Sequence, residues 1–390
     1  MPSLQHFAAS PEAVGVDPER LEALYARVAR DVEQGILPAA QVAVARHGRI
    51  AGMRSFGSVT HEGRPAPATN ETLFVVFSCS KAITSATAWL LLEEGLLSLD
   101  ERVAGVIPEF GENGKQEVTV EQLFTHTAGF PRAPYRQDEW DWTRLAERFA
   151  RWRLNWEPGS RFEYHATSSM WVIAALVQAR TGMDFRDTVR LRLAEPLGLP
   201  DLRLGLPRAL HGRLADVSYA GEEPGPERFA ALGLPMPPVT EVTEEAVLGF
   251  NEARVREIGV PGGGVTATAG DLALFYQALL EPALWKPATL ADARRIRNPD
   301  FLDPVFRKPA NRGLGIVVAG GPDKAFLGFG RTCSDEAFGH GGAGGQIAWA
   351  DPVTGLSVGY CTSGFDRDVL RQARRTVAIS SLAGSCASSA

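Results

Sequence analysis

Residues 75–84, VVFSCSKAIT, place a serine and a lysine at the start of a long apolar segment, KAITSATAWLLLEEG. The chain has only five lysines in 390 residues, and only Lys81 follows a serine by three positions. Residues three apart share one face of a helix, so the side chains of Ser78 and Lys81 can meet. A helix N-terminus favours an alkoxide on Ser78 and disfavours an ammonium on Lys81. The pair therefore predicts a serine nucleophile with a neutral lysine as a base.

Two other nucleophiles compete with Ser78. Ser357 lies in GLSVG (355–359), which matches the nucleophile elbow G-x-S-x-G. That motif needs a strand, a turn and a helix, with an aspartate and a histidine following in the chain. The last histidine is His340, which precedes Ser357, and LSVGYC indicates an uninterrupted strand. Cys79 directly follows Ser78, but only Ser78 has the correct spacing to Lys81, so we favour Ser78.

The two ends of the chain carry strand and helix patterns. Residues 17–34 predict an amphipathic helix with Asp17 as its cap. Residues 39–57 alternate around His47-Gly48 and predict a hairpin. Near the C-terminus, GLGIVVAG, GGQIAWADP and TGLSVGYC predict strands, and 367–384 predicts a final helix.

The residues between these ends predict helices joined by long loops, from 82 to about 250. An α+β fold suits this order: an antiparallel sheet from both chain ends, flanked by helices, with a helical domain inserted. We therefore expect a discontinuous sheet domain over 1–75 and 255–390 and a mainly helical domain over 76–254. The active site would lie in the cleft between them.

Composition excludes several classes of function. The net charge of −6 and the lack of a basic run with aromatics argue against a nucleic-acid partner. The sequence contains neither an apolar run long enough to span a membrane nor a start that resembles a signal peptide, so we expect a cytoplasmic protein. Four cysteines without CxxC spacing, and histidines without HExxH spacing, predict no metal and no cofactor. The oligomeric state is not determined by these patterns.

Two further segments could complete a serine–lysine site. Tyr164 ends PGSRFEY in a loop before a helix, and a tyrosine near cations can serve as a base. FGHGGAGG (338–345) leads into a strand, where a free backbone N–H could meet an oxyanion. Each has an ordinary structural alternative: a half-buried tyrosine and a glycine-rich turn.

Taken together, these segments resemble the serine β-lactamase and penicillin-binding-protein superfamily, and most of all its family VIII carboxylesterases. SCSK supplies an S-x-x-K motif, PGSRFEY the tyrosine motif, and HGG (340–342) stands where lactamases carry K-T-G. QLFTHTAGF (122–130) and VPGGGVTATAGDLALF (260–275) also fit. The resemblance covers most of the chain and implies a β-lactamase/D,D-peptidase-like fold.

The resemblance also implies roles for individual residues. Ser78 would be the acylated nucleophile, and Lys81 and Tyr164 would share proton transfer, with the first acceptor left open. The backbone N–H groups of Ser78 and Ala343 would form the oxyanion hole. The implied substrate-binding residues are His340, Gly341, Gly342 and Thr167.

Two departures from the superfamily pattern bear on the substrate. Ala166 replaces the asparagine of Y-x-N, with Thr167 as the candidate for its role, and His340 replaces the K-T-G lysine. Both losses should weaken recognition of a β-lactam. The sequence therefore predicts a carboxylesterase for short- to medium-chain esters, with at most weak β-lactamase activity. The alternatives are an amidohydrolase (a β-lactamase, D-aminopeptidase or D,D-peptidase) and an inactive binding homologue.

Overall fold

A seven-stranded antiparallel sheet forms the centre of the molecule, a computed structural model that describes residues 2–134, 141–236 and 242–388. The strands are β1 (Ala39–Arg46), β2 (Arg49–His61), β3 (Arg64–Pro67), β4 (Phe74–Val75), β5 (Arg203–Leu204), β6 (Ser218–Ala220), β7 (Val265–Ala267), β8 (Val317–Val318), β9 (Phe338–Gly342), β10 (Gln346–Ala350), β11 (Leu356–Thr362) and β12 (Gly364–Asp366). The order in the large sheet is β3-β2-β1-β11-β10-β9-β8, so strands from both chain ends meet where β1 pairs with β11.

Helices cover both faces of this sheet and fill the region between its two sets of strands. They are α1 (Pro18–Glu33), α2 (Ser80–Glu93), α3 (Val103–Val106), α4 (Val120–Phe124), α5 (Leu145–Arg151), α6 (Ser168–Thr181), α7 (Phe185–Val189), α8 (Pro226–Ala231), α9 (Glu244–Leu248), α10 (Ala253–Ile258), α11 (Ala269–Ala278), α12 (Pro287–Arg294) and α13 (Val369–Gly384). No helix within the described ranges combines the length and the apolar character needed to cross a membrane.

The predicted N-terminal helix and hairpin are confirmed. Asp17 caps α1 by accepting hydrogen bonds from the backbone N–H groups of Glu19 at 2.9 Å and Arg20 at 3.2 Å. The β1–β2 hairpin turns at His47 and Gly48, both of which have positive φ angles, of 53° and 70°. A two-residue turn with two positive φ angles matches the twist of an antiparallel pair.

Strand β1 is buried on both faces, and its side chains alternate between two cores. Val42 and Val44 pack with α1 and α13, whereas Ala43 and Ala45 pack with α11 and the helical region. The close approach of α11 requires Gly359 on β11, because a Cβ atom there would lie 2.2 Å from the carbonyl oxygen of Ala269. The predicted final helix is also present as α13, with Asp368 as its cap.

The described part of residues 76–254 contains helices α2 to α9 and also strands that the sequence patterns did not reveal. Strand β5 pairs with β7, and β6 pairs with β12 in parallel. Both are short, of two and three residues, and therefore too brief to show an alternating pattern. The predicted domain boundaries stay a prediction.

Candidate active site

Ser78 lies at a sharp turn between a strand and a helix. Strand β4 pairs with β7, and the Cys79 N–H then donates to the Val76 carbonyl to close a 3₁₀ turn over Phe77–Cys79. Phe77 has a φ of +44°, a conformation that an aromatic residue rarely adopts. Its ring is held edge-on between the rings of Phe250 at 5.1 Å and Phe365 at 5.0 Å. The turn thus leaves Ser78 half-buried at the N-terminal end of α2.

Lys81 is fully buried in the first turn of α2, and its side-chain nitrogen contacts Ser78 as predicted. Nζ lies 3.1 Å from Ser78 Oγ, 2.7 Å from the Ala166 carbonyl oxygen and 2.8 Å from the Gly262 carbonyl oxygen. Because carbonyl oxygens only accept hydrogen bonds, two N–H groups of Lys81 must point at Ala166 and Gly262. The remaining position on Nζ faces Ser78 Oγ.

This arrangement suits Lys81 in either protonation state. In the ammonium form the third N–H donates to Ser78 Oγ, and in the neutral amine a lone pair occupies the same position. The lone pair can then accept the Ser78 proton without a change of rotamer. The two carbonyl partners could not be anticipated, because every residue type carries a backbone carbonyl.

Tyr164 lies beside this pair and is surrounded by groups that carry or can carry a positive charge. Lys81 Nζ is 4.9 Å from its ring centroid, and the guanidinium carbon of Arg312 is 5.6 Å from it. The rings of His126 and His340 lie 4.8 Å and 6.2 Å away, centroid to centroid. The structure therefore brings Ser78, Lys81 and Tyr164 together. How Lys81 and Tyr164 share proton transfer stays a prediction.

The end of strand β9 approaches the Ser78 turn from the other side. The Cys79 thiol donates to the His340 carbonyl oxygen at 3.1 Å. A Cβ atom on Gly342 would lie 2.6 Å from the Val76 carbonyl oxygen, so only glycine fits there. In the part of the chain that the structure describes, neither the Ser78 N–H nor the Ala343 N–H donates to a backbone carbonyl. Both groups remain available for an oxyanion.

The His340 side chain is a neutral acceptor rather than a cation. Its Nδ1 lies 2.7 Å from the Gly341 carbonyl oxygen, which requires a proton on Nδ1. Its Nε2 is buried and has no hydrogen-bond partner among the described residues. Burial, together with the charges of Lys81 and Arg312, lowers the pKa of His340 well below its ordinary value. His340 therefore does not replace the positive charge of the K-T-G lysine.

Thr167 begins the loop-to-helix transition that presents the Ala166 carbonyl to Lys81. Its Oγ1 is buried and has no partner within the described residues. A Cβ atom on Gly262 would lie 3.3 Å from the Thr167 Cα, so the loop at 260–264 packs directly on this turn. The structure places Thr167 next to the site, and its substrate-binding role stays a prediction.

The two competing nucleophiles are held in structural roles. Burial raises the pKa of the Cys79 thiol to about 12, and the thiol is occupied by the carbonyl of His340. Ser357 is buried in strand β11, where its Oγ donates to the Ala273 carbonyl at 2.7 Å and accepts from Gln277 Nε2 at 2.9 Å. No turn follows it, so the predicted uninterrupted strand is confirmed and Ser357 does not lie at a nucleophile elbow.

Two buried histidines connect the THTAG segment to the tyrosine motif. The His165 N–H donates to His126 Nδ1 at 3.2 Å, and the Phe130 N–H donates to His165 Nε2 at 3.1 Å. His165 Nδ1 then donates to the Glu163 carbonyl at 2.7 Å. Burial lowers the pKa of His165 to about 3 and that of His126 well below its ordinary value. Both rings therefore act as neutral supports for the loop that carries Tyr164.

Three of the buried histidines, His126, His165 and His340, predict a loss of stability in acid. Each stays neutral in the folded protein but takes up a proton near pH 6.5 when unfolded. The stability they contribute is therefore complete above pH 6.5 and decreases as the pH falls toward their folded pKa values. Each should lower the free energy of unfolding by about 1.4 kcal/mol per pH unit in this window. Urea unfolding at pH 7.5 and pH 5.5 measures the effect.

A matched pair of variants separates this effect from general acid sensitivity. His165→Gln keeps an acceptor for the Phe130 N–H and removes the titrating ring, so its stability should depend less steeply on pH than that of the wild type. His47→Gln changes an exposed histidine and serves as the control for the substitution itself. Equal slopes for the wild type and His165→Gln would contradict the assignment.

Elsewhere in the described chain the side chains form no candidate metal site, and two surface cavities lie away from the candidate catalytic residues. Within residues 2–134, 141–236 and 242–388, no group of three or more histidine, cysteine, aspartate or glutamate side chains could hold a metal ion. Two surface cavities, of about 500 Å³ beside Arg180 and about 300 Å³ beside Arg190, contain none of the candidate catalytic residues. We assign the site from its chemistry, because cavity size without a nucleophile indicates no reaction.

Comparisons with known proteins bear on the family and the fold of this chain. Residues 24–383 match the family model described as Beta-lactamase. The esterase EstB of Burkholderia gladioli is 29% identical over 364 residues, 87% of this chain and 88% of EstB. A penicillin-binding protein homologue from Caulobacter crescentus is 27% identical with a TM-score of 0.77, covering 95% of this chain and 98% of that structure. A family VIII carboxylesterase at 24% identity shares the fold, with a TM-score of 0.75 over 95% of this chain and 99% of its own. The resemblance and the fold expected from the sequence are confirmed, and the chain belongs to the Beta-lactamase family.

Proposed function

We propose that the protein is a serine carboxylesterase that hydrolyses short- to medium-chain esters through an acyl-enzyme on Ser78. The general class is supported by the family, whose relatives include the esterase EstB. The observation that carries the preference for esters is the neutral His340 at the end of β9. A buried acceptor nitrogen there offers no cation to the carboxylate of a β-lactam or a peptide. A neutral ester needs none.

The proposed reaction uses only groups of this chain, the ester and water. Ser78 Oγ forms a bond to the carbonyl carbon while its proton passes to Lys81 or Tyr164. The N–H groups of Ser78 and Ala343 stabilise the oxyanion that results. Collapse of this adduct breaks the carbon–oxygen bond, and the departing alcohol takes the proton. Water then attacks the acyl-Ser78 ester, which releases the acid and restores the hydroxyl.

An aromatic surface next to the oxyanion residue supports apolar substrates. Ala343, Tyr219 and Phe250 are partly buried, and each packs against the cluster that contains Phe77 and Phe365. The Phe250 ring lies 3.7 Å from where a Cβ atom on Gly263 would be, close to the Ser78 turn. Apolar walls with few polar groups are typical of pockets for small acyl chains.

The test is a substrate panel on the wild type and on Ser78→Ala. It contains p-nitrophenyl esters of increasing chain length, nitrocefin and a D-alanyl p-nitroanilide. We expect turnover of the esters that Ser78→Ala lacks, with a preference for esters over both amides of at least about tenfold. Strong amide cleavage with negligible ester turnover would instead identify an amidohydrolase, the class suggested by the penicillin-binding protein homologue.

His340→Lys is the matched variant for the role of charge. A lysine at this position supplies the missing cation. The ratio of the acylation rate with nitrocefin to that with a p-nitrophenyl ester should therefore rise by about tenfold. An unchanged ratio would mean that His340 does not determine the preference.

A further inference from the structure

A buried arginine lies beside Tyr164 and belongs to none of the sequence motifs. Arg312 is only 8% exposed. Its backbone is fixed on both sides, because its N–H donates to Asn298 Oδ1 at 2.8 Å and its carbonyl accepts from the Arg297 N–H at 2.8 Å. Its position in the site is therefore set by the backbone rather than by a flexible loop.

The guanidinium of Arg312 lacks the partners that a buried charge ordinarily has. Its Nε and Nη1 are buried and make no hydrogen bond within the described residues. The ion pairs found among those residues do not include it, although Asp303 is close enough to act on its charge. Burial lowers the pKa of Arg312, but a guanidinium keeps its proton in proteins. An unpaired buried cation is costly, so an anion that forms nearby would be stabilised.

Tyr164 is the group on which that anion can form. The Arg312 guanidinium carbon lies 5.2 Å from the Phe162 ring centroid and 5.6 Å from the Tyr164 ring centroid. Lys81 approaches the same ring, while the rings of His126 and His340 are held neutral.

The charged groups nearest to this loop do not cancel the positive field. The Glu163 carboxylate accepts from Trp156 Nε1 at 3.3 Å and pairs with Arg132 at 3.5 Å. Asp303 accepts hydrogen bonds from the backbone N–H groups of Val305 and Phe306. Tyr164 thus faces the Lys81 nitrogen, the Arg312 guanidinium and two neutral imidazoles, and no carboxylate is in contact with its ring among the described residues.

We propose that Arg312 is a positioning residue whose charge favours the phenolate form of Tyr164 and so makes that tyrosine an effective proton acceptor. This inference rests on the proposed function in one respect, namely that the phenolate accepts a proton during ester hydrolysis. A unit charge 5.6 Å from the centroid of the Tyr164 ring, in a partly buried site, should shift the ionisation midpoint of that tyrosine by about one pH unit or more. Arg312 acts through Tyr164 and need not touch the substrate.

The test measures the ionisation of Tyr164 directly and without a substrate. Ultraviolet difference titration reports phenolate, and subtracting the Tyr164→Phe protein isolates the signal of Tyr164. Overlap with the other described tyrosines is limited, since burial raises the pKa of Tyr219 and Tyr360 to about 12 and raises those of Tyr25 and Tyr276 as well. In Arg312→Met the Tyr164 midpoint should lie about one pH unit or more above that of the wild type.

Two variants control for structural effects. Arg312→Lys keeps the charge and should keep the wild-type midpoint, whatever its turnover. Arg312→Gln is neutral but polar, and it should reproduce the shift of Arg312→Met even if the methionine variant folds poorly. Equal midpoints in the wild type and Arg312→Gln would overturn the proposal.

A kinetic readout distinguishes the remaining outcomes. In the pH profile of kcat/KM for a p-nitrophenyl ester, the acid limb of Arg312→Gln should move to higher pH by the same amount as the titration. A uniform loss at every pH, or a loss confined to the KM of carboxylate-bearing substrates, would overturn the proposal and make Arg312 a packing or substrate-anchoring residue. If the wild type cleaves no ester but the Tyr164 midpoint differs between the wild type and Arg312→Gln, the proposed function fails while the link between Arg312 and Tyr164 stands.

Discussion

Ser78→Ala is expected to lower kcat for p-nitrophenyl butyrate by at least about 10³-fold. The Ser78 hydroxyl is the only one that contacts Lys81 among the described residues, at 3.1 Å. Without it no acyl-enzyme can form. The change removes a single oxygen atom at a half-buried position in a turn, so the fold should stay intact. Initial rates at matched concentrations measure the effect.

Ser357→Ala is the matched control for this prediction. Its hydroxyl is buried and bonded to Ala273 and Gln277, so its loss should reduce stability by about 1 kcal/mol and leave turnover near the wild-type value. A fluorophosphonate probe should label the wild type and Ser357→Ala but not Ser78→Ala. Wild-type turnover in Ser78→Ala would refute the mechanism, and a wild type that resists labelling would favour an inactive binding homologue.

Lys81→Met is expected to lower kcat by about 10² to 10⁴-fold. Methionine fills a similar volume but can neither donate to Ala166 and Gly262 nor accept the Ser78 proton. The loss should appear in kcat more than in KM, because Lys81 Nζ is bonded to Ser78 and to two backbone carbonyls rather than aimed at a substrate group. Steady-state kinetics with p-nitrophenyl butyrate, together with thermal unfolding of the variant, measure both consequences.

Lys81→Arg separates proton acceptance from charge. An arginine can still donate hydrogen bonds to the carbonyls, but it has no lone pair to accept a proton. If Lys81 is the base, Lys81→Arg should be about as inactive as Lys81→Met. If Lys81→Arg retains most of the activity, Lys81 serves as a fixed cation and Tyr164 is the first proton acceptor. The two variants thus decide a question that the sequence leaves open.

Much of the fold could be predicted because its signals are local. Asp17 and Pro18 predict the start of α1, and His47-Gly48 predicts a tight hairpin turn. These residues act on their own neighbours, through caps and turn geometry, so a short window of sequence contains the whole cause. Strands β5 and β6 were missed because they exist only through pairing with distant partners.

The candidate site also combines features that local sequence predicts with features that depend on distant parts of the chain. Ser78, in the 3₁₀ turn, and Lys81, in the first turn of α2, are only three residues apart, so the sequence by itself determined that they meet. The superfamily pattern added Tyr164. The tertiary structure alone decided what surrounds them: the carbonyls of Ala166 and Gly262, the neutral state of His340 and the unpaired charge of Arg312. The physical reason is that a backbone carbonyl has no residue signature, and a charge state depends on burial and on neighbours brought in from elsewhere in the chain.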